Sequence, residues 1–130
     1  NEAEYWYVFF EVQQKLGFHE EAAMAYQRVI ELEYPDFDVW LDYAKLLDEA
    51  GYYKDCIETL TEGIKYFPDV AELYYRLGVI LMETGKRNEG LESLSKAMEM
   101  DFNKYTEIFE YAPALKEDNQ VLELINSFKN

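Results

Sequence analysis

Trp40-Leu41-Asp42-Tyr43-Ala44-Lys45-Leu46-Leu47-Asp48-Glu49-Ala50-Gly51 has a counterpart 34 residues later, Tyr74-Tyr75-Arg76-Leu77-Gly78-Val79-Ile80-Leu81-Met82-Glu83-Thr84-Gly85. The same register appears 34 residues earlier, from Trp6 to Gly17. Each stretch opens on a large aromatic and closes eleven residues later on glycine. Self-similarity at such a period marks stacked helical hairpins, because one unit cannot hide its apolar face alone. A chain of this kind presents a surface, and the class of function it predicts is binding.

Working outward, each period reads as two amphipathic helices joined by a glycine turn. In the first, Tyr5, Trp6, Phe9, Phe10 and Val12 form an apolar stripe that Gly17 ends. Ala22, Ala23, Tyr26, Val29, Ile30 and Leu32 follow, and Pro35 closes the unit by disfavouring helix in Tyr34. The second unit sets Val39, Trp40, Tyr43, Ala44 and Leu47 before Gly51, then Cys56, Ile57, Leu60 and Ile64, and stops at Pro68. The third sets Leu73, Tyr74, Leu77, Gly78 and Leu81 before Gly85, then Leu91, Leu94, Ala97, Met98 and Met100.

A fourth unit keeps the register in Ile108, Tyr111, Ala112 and Leu115 but has Asn119 in the glycine slot. Pro113 removes a donor and clashes with the preceding turn, which predicts a break at Ala112-Pro113. Asp118 reads as the N-cap of a last helix bearing Val121, Leu122, Leu124, Ile125 and Phe128. End units of stacked repeats are commonly atypical, so residues 104–130 read as a cap. The repeats are placed at 3–35, 36–69 and 70–103, within one domain of residues 1–130. The chain opens at Asn1 directly into a helical pattern, which reads as a C-terminal segment of a longer multi-repeat protein.

Bulk composition narrows the partners. The formal net charge is −15, so a phosphate backbone would find few Lys or Arg to displace its counterions. Nucleic acid is not expected. No run approaches the roughly 20 apolar residues that span a bilayer, so no membrane partner is expected either. Twelve Tyr, eight Phe and two Trp suit helices that wedge large rings between neighbours. One cysteine cannot close an internal disulfide, which fits a cytoplasmic setting.

These features together resemble the tetratricopeptide repeat family, whose unit carries Trp, Leu-Gly, Tyr, Ala, Phe, Ala and Pro at set positions. The third unit matches best, with Tyr74 in the tryptophan slot, Leu77-Gly78, and Ala97 in the later small slot. The second offers Trp40, Tyr43-Ala44, Cys56, Leu60, Gly63 and Pro68. In the first, Phe9-Phe10 replaces Leu-Gly, and in the third Gly90 stands where alanine is usual. The resemblance implies an all-α, right-handed α-solenoid of antiparallel helix hairpins with a degenerate C-terminal capping repeat.

It also implies a concave groove lined by the first helix of each hairpin. The candidate partner-binding residues are then Glu4, Tyr7, Val8 and Glu11 from the first unit, and Leu41, Asp42 and Lys45 from the second. Glu72, Tyr75, Arg76, Val79 and Met82 come from the third, with Phe109 near the far end. Relatives that hold a C-terminal carboxylate use Lys, Asn and Arg there; here the corresponding faces hold Tyr7, Glu11, Asp42 and Glu72, only Arg76 has the expected charge, and the three carboxylates would repel it. The wall instead suits a protein or peptide with Lys or Arg and an apolar anchor, with the rings available for cation–π contact. A plainer role for the same carboxylates is to solvate exposed helix faces.

No catalytic, cofactor-binding or metal-binding motif appears. His19 follows a glycine turn and reads as an exposed loop residue, and Cys56 reads as a buried thiol in a small-residue slot. The chain is therefore read as a non-enzymatic protein–protein interaction scaffold or adaptor. The alternative is a regulatory or substrate-recruiting appendage of an enzyme whose catalytic domain lies upstream. Tyr5, Phe9 and Val12 form a face that an upstream repeat would cover, and left bare it predicts self-association through residues 3–16.

Overall fold

The structure is a computed structural model, and it describes Met24, Arg28 and residues 37–129. The readings made for Glu4, Tyr7, Val8, Glu11, His19 and residues 3–16 lie outside the described residues. Six α-helices occur among the described residues: α1 (Phe37–Glu49), α2 (Tyr53–Tyr66), α3 (Ala71–Glu83), α4 (Arg87–Met100), α5 (Glu107–Tyr111) and α6 (Asn119–Lys129). Two 3₁₀ turns, Phe102–Lys104 and Pro113–Glu117, flank α5. The chain divides into two compact units, residues 1–59 and 60–130, with the boundary inside α2.

In the first unit, α1 buries Val39, Trp40, Ala44, Leu46 and Leu47. Trp40 is 7% exposed, which fixes the register read from the aromatic-to-glycine spacing. The helix ends where Gly51 takes φ of 85°. The Tyr52 N–H donates to the Leu47 carbonyl at 2.8 Å and the Gly51 N–H to Asp48 at 3.0 Å. That pair of bonds satisfies carbonyls left open at a helix end, and its left-handed residue favours glycine. Cys56 on α2 is fully buried, and its thiol donates to the Ala44 carbonyl at 3.3 Å.

The same terminus recurs in the second unit, one period on. Gly85 takes φ of 84°, with Lys86 N–H on Leu81 at 2.9 Å and Gly85 N–H on Met82 at 3.3 Å. The chain then returns as α4, which lies against α3 at very short range. A Cβ built on Gly90 would sit 3.0 Å from the Gly78 carbonyl oxygen and 2.8 Å from Met82 Cγ. One on Gly78 would meet Leu94 at 2.6 Å. Ser93 supports the approach by donating to the Tyr74 carbonyl at 2.9 Å.

Against this pair packs the C-terminal cap. Tyr75, Val79, Met82, Leu94, Ala97 and Met98 share one apolar cluster with Ile108, Ala112, Val121 and Ile125. The Tyr75 hydroxyl donates to the Asp101 carbonyl at 2.7 Å, tying α3 to the end of α4. At the expected break, Ala112 leaves the helix with φ −144° and ψ 87°, and Pro113 starts a new 3₁₀ turn. Asp118 caps α6 by accepting from the Val121 N–H at 3.1 Å. Its other oxygen takes Arg87 at 2.9 Å, and Arg87 also donates to Gln120. Phe102 stacks with Tyr105 at 4.9 Å and with Phe128 at 6.2 Å, which closes the far side of the cap.

Two stability predictions arise here. Gly90→Ala improves helix propensity yet overpacks the α3–α4 contact, so unfolding by urea is expected to show a net loss of about 1–3 kcal/mol. Asp118→Ala is expected to cost about 1 kcal/mol in the same assay through loss of the cap. Burial pushes Asp118 up, but the Val121 N–H, Arg87 and the Gln120 N–H outweigh it and leave it below the usual carboxylate range. Its stabilisation is thus full above the unfolded-state value of about 3.9 and is lost as pH falls through the lower native value. The wild-type acid-unfolding curve is expected to lose that component in Asp118→Ala.

Candidate partner-binding surface

On the second unit, α3 and α5 bring an aromatic, a cation and several carboxylates together. The Arg76 guanidinium lies 4.4 Å over the Tyr111 ring centroid. The Tyr111 hydroxyl donates to Glu107 Oε1 at 3.2 Å. Beside them, Lys104 Nζ lies 3.8 Å from Glu72 Oε2, while Glu110 is exposed and Phe109 half-buried. The spacing Glu107 to Tyr111, one helical turn, lets the two side chains meet.

The electrostatics follow from partial burial. Glu107 Oε2 is buried and has no hydrogen-bond partner. Burial pushes the Glu107 carboxyl above its ordinary range; the Tyr111 hydroxyl and Lys104 oppose this, while Glu72 and Glu110 add to it. Burial, then the Glu107 charge and hydrogen bond, raise Tyr111, and Arg76 works in the opposite direction. The native state consequently holds the Glu107 proton more tightly than the unfolded chain does. The stabilisation from this group is greatest at low pH and is lost as pH rises through its native value, the reverse of Asp118.

Several sequence-derived candidates sit elsewhere than expected. Tyr75 and Val79 are 0% and 2% exposed and Met82 is 7% exposed, all within the core cluster against Ile108 and Ala112. These three do not line a solvent groove: the capping helices cover them, because an apolar face at the end of a repeat stack must be hidden. Glu72 and Arg76 keep accessible surface on α3, as does Phe109 on α5. In the first unit, Leu41 and Asp42 are half-buried on α1 and Lys45 is exposed. Sequence reading assigns Tyr111 to an apolar stripe and gives Glu107 no role. Their four-residue separation is the local signal that pairs them; only the packing of α3 on α5 sets Arg76 on the ring.

A second concavity, of about 540 Å³, opens on the other side of the α3–α4 pair. Tyr74, Leu77 and Leu81 of α3 form its floor, and the α4 wall carries Glu89, Glu92, Lys96 and Glu99. Among the described residues, no group of His, Cys, Asp and Glu is arranged to hold a metal ion. No helix there is long and apolar enough to cross a membrane.

Two-helix units at a 34-residue period, each turning between its helices at the same left-handed glycine, define a helical-hairpin repeat protein of the tetratricopeptide kind. Residues 2–119 match the family described as Pre-mRNA-splicing factor Syf1/CRNKL1 C-terminal HAT repeat, and the chain belongs to that family. No curated protein matches the sequence. Among solved structures, a MamA protein superimposes with a TM-score of 0.74 at 18% identity, over 97% of this chain and 70% of its own. YrrB, described as a TPR protein with an unusual peptide-binding site, gives 0.69 at 15% identity, over 97% and 66%. The Yersinia enterocolitica type III secretion translocator chaperone SycD gives 0.67 at 19%, over 96% and 88%. The likeness shows the all-α repeat-solenoid fold.

Tyr111→Phe keeps the ring under Arg76 and removes the donor to Glu107. An NMR carboxyl titration is expected to show Glu107 moving further up, because the lost hydrogen bond is one that favours the charged form.

Proposed function

We propose that the chain is a non-catalytic protein-interaction module, a scaffold or adaptor that takes a segment bearing Lys or Arg and an apolar anchor. The observation that carries this reading is the Arg76–Tyr111 contact at 4.4 Å amid Glu72, Glu107 and Glu110. That face already seats a guanidinium on an aromatic ring, and it surrounds the pair with carboxylates. A partner's cation gains from the same carboxylates. Such contacts are worth about 0.5–2 kcal/mol each, most where water is excluded. On the first unit, Leu41, Asp42 and Lys45 of α1 are proposed as a partner-contacting surface in their own right, with repeat bounds at 36–69 and 70–103.

The family is named for a pre-mRNA-splicing factor. A chain with net charge −15 is unsuited to phosphate backbones, so if it serves in an assembly that handles RNA, its contacts are with protein. YrrB, a TPR protein with an unusual peptide-binding site, and SycD, a translocator chaperone, share this fold and support the interaction reading.

The test is binding of peptides containing Arg and an aliphatic anchor, measured by fluorescence anisotropy. Affinity is expected to fall from low to physiological ionic strength and to weaken several-fold in Glu110→Lys, with Asp42→Lys testing the separate α1 surface by the same measure. Binding indifferent to salt and to both substitutions would sink the reading.

A further inference from the structure

The α3–α4 concavity is built from two parallel stripes of different chemistry. On α3, Tyr74, Leu77 and Leu81 recur at three and four residues and so lie along one face. On α4, Glu89, Glu92, Lys96 and Glu99 recur at the same intervals, and all four are exposed. Ten residues of helix extend this rim over about 15 Å. The floor is prearranged rather than loose: Ser93 donates to the Tyr74 carbonyl at 2.9 Å, and Gly78 and Gly90 hold the two backbones close.

We infer that this α3–α4 cleft docks an amphipathic helix of a partner protein, one whose apolar stripe covers the half-buried Tyr74 and Leu77, with buried Leu81 beneath them, while adjoining Lys or Arg residues meet Glu89, Glu92 and Glu99. The occupant is fixed by charge. Three carboxylates against one ammonium leave the rim acidic, and a helix reads such a rim by the periodicity of its own side chains. A second copy of this chain is the poorer occupant, since it carries a net charge of −15 and would bring like charge to the rim. The site shares no residue with the Arg76–Tyr111 face, so the inference stands apart from the reading proposed above.

The experiment uses the whole chain and a synthetic helical peptide of about 18 residues, with leucines on one stripe and lysines on the next. A second peptide has every lysine replaced by glutamate. Fluorescence anisotropy at low ionic strength is expected to show binding of the lysine peptide only. The double variant Glu92→Lys, Glu99→Lys is expected to weaken it about tenfold, while Glu123→Lys, exposed on α6 and outside both proposed surfaces, leaves it nearly unchanged. Both rim positions are exposed, and circular dichroism verifies that the double variant stays folded. Leu77→Ser, tested alongside, is expected to weaken the peptide without restoring the glutamate peptide.

Three results would overturn the inference. One is failure of the lysine peptide to bind; another is an affinity that responds to Glu123→Lys and not to the rim pair. The third is a dimer in ultracentrifugation that Leu77→Lys abolishes, since the occupant would then be another copy.

Discussion

The close approach of α3 and α4 at Gly78 and Gly90 is the constraint on which the C-terminal unit depends. With Cβ atoms absent, one backbone comes within contact range of the other, and Leu94 and Met82 fill the space beside it. Helices that close leave little room between them and force their larger side chains outward to either flank. On one flank Tyr75, Val79 and Met82 form an apolar ridge that needs a cover. On the other, Tyr74, Leu77 and Leu81 become the floor of a cleft. Both surfaces follow from the same pair of glycines.

The cover on the first flank is the degenerate repeat. A regular hairpin would leave a fresh apolar face to be hidden, and the stack would have no end. Pro113 breaks the helix after Tyr111, so α5 is only five residues long and packs against α3, while α6 packs against α4. Polar ties then fix α6 in place, with Asp118 capping its own helix while holding Arg87 of α4. An exposed ion pair contributes little by itself, but here the same carboxylate satisfies backbone N–H groups that a helix terminus leaves open.

The cap also changes what the surface offers. By covering Tyr75, Val79 and Met82 it removes three residues from the surface, and it brings Tyr111 and Glu107 next to Glu72 and Arg76. Acidic groups gather where burial already disfavours charge, which is why Glu107 is held above the ordinary carboxylate range. A cation is the ligand that relieves such a cluster, and Arg76 shows how one sits. Across the α3–α4 pair, the rim of glutamates asks for positive charge again.

The sequence alone determined what depends on local chemistry and period. Spacing from Trp40 to Gly51 and from Tyr74 to Gly85 gave the helices and their turns, because a left-handed terminus tolerates glycine and little else. Pro113 and Asp118 marked the break and the cap for equally local reasons. Gly90 was visible only as a departure, since nothing nearby in the chain says that the Gly78 backbone occupies the space of a missing methyl. Tertiary structure decided which face of α3 met solvent, because burial is set by what packs against a helix and not by the helix itself. For the same reason only the packing of α5 could lay Tyr111 beneath Arg76, 35 residues away in sequence.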